Sequence, residues 1–116
     1  MSRLPDKLDL ALVTRLREVV GGAPAIESEL RTLADQADGW ARATEGQLRA
    51  AERRLAKLNA DPTSELGEMA TELRRVDDLY AELEEARSLL AGLERRTREL
   101  RTAWLKHHAE SAPPLG

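Results

Sequence analysis

Between Leu66 and Trp104 the apolar residues recur at steps of three and four: Leu66, Met69, Leu73, Val76, Leu79/Tyr80, Leu83, Ala86, Leu90, Leu93, Leu100 and Trp104, with Thr97 the polar member of the series. A strand would alternate every second residue. This spacing instead gathers its members on one face of a single long helix. Such a helix cannot bury the seam against itself, so another helix has to lie along it.

The matching seam lies upstream, at Ile26, Leu30, Leu33, Ala37, Trp40, Thr44, Leu48, Ala51, Leu55 and Leu58. Between the two runs, Asn59-Ala60-Asp61-Pro62-Thr63-Ser64 is rich in turn formers. Folding the chain back there pairs residues whose numbers sum to 123 or 124, from Leu58 with Leu66 through Ala51 with Leu73 and Trp40 with Leu83 to Ile26 with Thr97. The levels match without a slip. The double four-residue step at 40–44–48 falls opposite the irregularity at 79–83.

The spacing predicts helices over about 6–20, 24–59 and 63–108. The second and third would run to roughly 54 and 69 Å. Pro5 or Asp6 opens the first helix and Gly21-Gly22 ends it. Pro24 and Pro62 fit the first turns of the helices that follow. Gly39 and Gly46 lie inside the second helix at about 1 kcal/mol each relative to Ala, and leave open a kink at Gly39.

The first helix is apolar on more than one stripe. Leu8, Leu12, Leu16 and Val19 form one face, and Leu10, Val13 and Val20 an adjacent one. Reversing at Gly21-Gly22 carries Leu16 toward Leu30 and Leu93, Leu12 toward Leu33 and Leu90, and Leu8 toward Ala37 and Ala86. The expected fold is all-α: a long antiparallel helical hairpin, or coiled coil, with a short N-terminal helix packed on its open end as a three-helix bundle. We expect a single elongated helical domain over 1–109 and a disordered tail over 110–116.

Composition agrees with long helices. Charged residues make up 34% of the 116-residue chain and aromatics 3%, with no Phe. The net charge of -3 supplies no global attraction for nucleic acid or an anionic membrane. No cysteine is present, so disulfide and thiolate chemistry are excluded. The N-terminal stretch, interrupted by Asp6 and Asp9, lacks a signal-peptide pattern, and no window approaches the roughly 20 apolar residues of a membrane span. A cytoplasmic or otherwise intracellular, soluble protein is expected.

Little in the sequence carries chemistry. His107 and His108, adjacent at the end of the third helix, point in different directions and suit a solvated helix end better than a metal site. Asp77, Asp78, Glu82, Glu84 and Glu85 cluster beside an intact apolar seam with no histidine near, and read as a solvated face. No nucleotide or metal motif occurs, and no catalytic residue, cofactor or small-molecule substrate is expected. Arg95, Arg96, Arg98 and Arg101, continued by Lys106, form a basic run that could contact an anion. The pairs Glu94–Arg98, Glu27–Arg31, Glu45–Arg49 and Asp38–Arg42 would absorb part of the charge.

Leu100, Trp104 and Leu105 extend beyond the start of the second helix and have no assigned partner. An overhanging Trp beside Leu is an interface anchor by residue type. The function expected from these features is a non-enzymatic coiled-coil protein–protein interaction module, a structural or adaptor subunit. It would bind itself or other helical subunits through Leu10, Val13, Val20, Leu100, Trp104 and Leu105. The alternatives are nucleic-acid or phosphate binding through the Arg95–Lys106 run and, further off, a small all-helical enzyme with an arginine-lined cleft.

Overall fold

The computed structural model describes residues 4–111, with side chains over 10–110. These residues form three α-helices and no strand: α1 (Leu4–Val20), α2 (Glu27–Ala60) and α3 (Leu66–Ser111). The fold is the expected one, an antiparallel pair of long helices with a short helix packed against the pair. α2 runs unbroken through Gly39 and Gly46. The chain divides into two compact units, one of Met1–Asp35 with Leu89–Gly116 and one of Gln36–Ser88.

The first unit holds α1, the start of α2 and the end of α3. α1 stops at Gly22, whose φ of 111° is open to glycine. There the Ala23 amide donates to the Glu18 carbonyl and the Gly22 amide to Val19, which satisfies the last carbonyls of the helix. Leu16, Val19, Leu30, Leu33 and Leu93 are buried around the three-helix core. Gly92 lets α1 come close: a Cβ there would sit 2.9 Å from a Val20 methyl. Val20 is therefore half-buried in internal packing. Leu8, placed by the spacing near Ala37 and Ala86, lies outside the described side chains.

α2 begins at Glu27, three residues later than Pro24 suggested, and arginine side chains take carbonyls of the linker before it. Arg15 donates to the Pro24 carbonyl at 3.0 Å and Arg96 to the Gly22 carbonyl at 3.2 Å. Arg15 also forms a two-pronged pair with Glu29, at 2.7 Å on each prong. That pair lowers the Glu29 carboxyl below its ordinary range and raises the arginine further above its own.

The second unit is a helical hairpin. Its turn uses Pro62 differently from the expected helix start. The Ser64 amide donates to the Asp61 carbonyl, while the Thr63 amide and hydroxyl both donate to the Asp61 carboxylate. Pro62 therefore occupies the second position of a turn, and α3 starts only at Leu66. Leu48, Ala51, Val76, Leu79 and Leu83 form the buried cluster, with Ala41 and Leu55 against it. Thr44 is buried on the seam, and its hydroxyl donates to Glu82 at 3.1 Å.

Not every seam residue is covered. Leu73, expected opposite Ala51, is half-exposed, and Leu66 and Tyr80 are exposed with it. These three lie seven residues apart, on the flank of α3 where a two-helix pair offers no cover. At the other end, Glu110 and Ser111 still belong to α3, and residues 112–116 lie outside the described residues.

Candidate functional site

Where α2 begins, α3 does not end. Thr97 faces the start of α2, and α3 continues to Ser111, with every residue from Arg101 to Glu110 exposed. The corner between them is a groove of about 620 Å³ in the first unit. Ile26, just ahead of α2, and Glu27 and Leu30 on it line one side, and α3 contributes Leu100, Trp104 and Leu105.

The spacing of the α3 residues sets their places. Thr97, Leu100 and Trp104 succeed one another by three and four and form the floor. Arg101 and Leu105 follow one step round the helix and line its edge, and Arg98 lies one turn before Arg101 on the same face, outside the groove lining. Ile26 faces Trp104 and Leu105 across the groove but precedes the first turn of α2, so no neighbouring turn covers it. Ile26 is 70% exposed, Trp104 58% and Leu105 61%. Large apolar side chains gathered at that exposure mark a binding surface better than scattered ones do.

Trp104 is held in place from the C-terminal side. The His108 ring stacks on its indole at a centroid distance of 3.8 Å. Nδ1 of His108 lies 3.1 Å from the Trp104 carbonyl, which puts the proton on that nitrogen. His107 packs edge-on against His108 at 6.0 Å. Among the described residues no group of histidines and acidic side chains could hold a metal ion.

The interface candidates separate. Leu100, Trp104 and Leu105 come together in the groove. Leu10 and Val13 stand apart on α1, exposed and half-buried respectively, and Val20 packs inward on Gly92. The basic run separates as well. Arg96 is half-buried and spent on the Gly22 carbonyl, and its Nε is buried without a partner. Arg101 reaches Glu27 at 3.2 Å across the groove mouth. Arg95 and Arg98 are exposed.

Of the expected helix pairs, Glu45–Arg49 and Asp38–Arg42 form, whereas Glu27 turns to Arg101. Ile26 is the groove residue that periodicity misplaced, since its step fits the seam. The signal that could have found it is its position before the first helical turn.

No protein-family model, no curated protein and no solved structure matches the chain. Among the described residues no helix is long and apolar enough to cross a membrane.

Proposed function

We propose that this protein is a non-enzymatic helical interaction module, a structural or adaptor subunit that docks another helix. The observation that carries this proposal is the groove at the end of α3, where Ile26, Trp104 and Leu105 are all more than half exposed. A monomer gains nothing from an overhanging helix that carries a tryptophan on an open groove. Burying such residues contributes about 1.5–3 kcal/mol each, and anchors of this kind dominate helical interfaces. The exposed Leu66, Leu73 and Tyr80 stripe on the hairpin supports the same function, because two helices alone leave it open. Use of the half-buried Arg96 on the Gly22 carbonyl weighs against a phosphate-binding role for the whole basic run.

Sedimentation velocity of the purified full-length chain, combined with urea unfolding, tests the proposal. We expect either self-association or a monomer of marginal stability. A monomer that unfolds cooperatively, with a stability in the upper part of the usual range of about 5–15 kcal/mol, would overturn it.

A further inference from the structure

Resting on that interaction function, we propose that the groove takes an amphipathic helix from another protein, with its apolar stripe on Trp104 and carboxylates along the edge that meets α3. The groove lining pairs one acid with one base, Glu27 and Arg101, but the end of α3 that carries it differs in charge from the chain. From Arg95 to His108 there are five basic side chains, Arg95, Arg96, Arg98, Arg101 and Lys106, against the single acid Glu99, in a protein of net charge -3. Arg101 lines the groove one helical turn below Leu105, and Arg98 stands one turn further along the same face of α3.

Arg101 already reaches for a carboxylate, that of Glu27, with both side chains about two-thirds exposed. An exposed pair of this kind contributes little, so the guanidinium can turn to a second carboxylate at small cost. Arg98, one turn away, is exposed beside it. A helix laid in the groove would meet Ile26, Leu100, Trp104 and Leu105 with residues spaced i, i+3, i+4 and i+7, and its flank would lie against this edge. Glutamate or aspartate on that flank completes the match. A second copy pairing two-fold through the same surface would instead lay another basic α3 end along this one, a poorer match to Arg101 than carboxylates.

The test uses the full-length chain and two fluorescein-labelled helical peptides with identical leucine positions, one with glutamates on the flanks and one with lysines. Binding is read by anisotropy at low and physiological salt. We expect the acidic peptide to bind at least about tenfold more tightly than the basic one, with the preference shrinking as salt rises. Arg98→Glu with Arg101→Glu should reverse the preference. Trp104→Ala should abolish binding of both with helix content unchanged, and Leu105→Gln serves as the second variant should Trp104→Ala fold poorly.

Equal binding of the two peptides would overturn the proposed acidic partner and leave the interaction function standing. So would a chain that binds neither peptide but sediments as a dimer broken by Trp104→Ala, since the occupant is then a second copy. A stable monomer that binds neither peptide would overturn both.

Discussion

The two units of this protein are built from the same two long helices but are finished differently. In the first, α1 covers α2 and α3, and Leu16, Val19 and Leu93 are at most 1% exposed. In the second, the pair stands without a third helix. Its cluster of Leu48, Ala51, Val76, Leu79 and Leu83 is buried, at 0–7% exposure, but Leu73 and Tyr80 beside it are half open. The seam itself is buried in both units, and what differs is its flank: the hairpin has no third helix within its own unit to close the stripe over Leu73 and Tyr80. The groove at the end of α3 is a third case, in which one helix carries the seam past its neighbour altogether.

The sharpest way to break this contrast is truncation of one buried leucine in each unit. Leu93→Ala should cost about 3–5 kcal/mol, because the fully enclosed site cannot collapse, and Leu79→Ala about 2–3 kcal/mol. Urea unfolding of both variants checks this. Equal losses would show that two helices pack as well as three.

Glycines give the next largest separation. Gly92→Leu drives a side chain into Val20, where even a Cβ has only 2.9 Å, and should cost about 1–3 kcal/mol. In the hairpin, a Cβ on Gly39 or Gly46 meets nothing within 4 Å. Gly39→Ala should therefore stabilise the protein by up to about 1 kcal/mol through helix propensity alone. A thermal-unfolding shift of the same sign for both variants would contradict the close approach of α1 to α3.

The smallest effect is on pH dependence. In the first unit, the Arg15 hydrogen bonds hold the Glu29 carboxyl below its ordinary range. In the second, the Thr63 hydroxyl and amide do the same for Asp61. A lowered carboxyl contributes stability above its unfolded value and loses it as pH falls through the folded one. Acid should therefore weaken the first unit below about pH 4.5 and the second below about pH 3.8, the ordinary values for a glutamate and an aspartate. Tyr80, which donates to Glu52, is raised. Its contribution is complete below pH 10 and is lost above it, in the hairpin alone. Urea midpoints across pH should show an alkaline loss that Tyr80→Phe removes and Glu29→Gln leaves in place.

The helices and their antiparallel pairing were legible because steps of three and four over long runs have no other solution. The third helix on the open end was legible from the reversal at Gly21-Gly22, which carries the stripe of Leu16 and Val19 back toward Leu30 and Leu93. What periodicity could not register was coverage. Leu73 and Ile26 fit the seam by spacing, yet one sits on the flank of a two-helix pair and the other ahead of a helix start. The helix starts themselves shifted because Pro62 serves a turn anchored by Asp61, and because the Gly22 and Pro24 carbonyls are taken by distant arginines. The arginine contacts are tertiary and no local signal encodes them, whereas the Asp61–Ser64 turn is a local one that spacing alone does not register. Of the groove, the α3 half followed from the overhang of Leu100, Trp104 and Leu105. The α2 half, Ile26 and the Glu27–Arg101 bridge, required the fold.

The central claim is that the end of α3 is completed by a partner. Amide hydrogen exchange over residues 101–110 of the isolated chain tests it most directly. A solvated helical segment of that length is marginal on its own. We predict exchange there orders of magnitude faster than at Leu93, slowing when the acidic helical peptide is added. Protection over 101–110 equal to that of the three-helix core in the monomer, unchanged by the peptide, would contradict it.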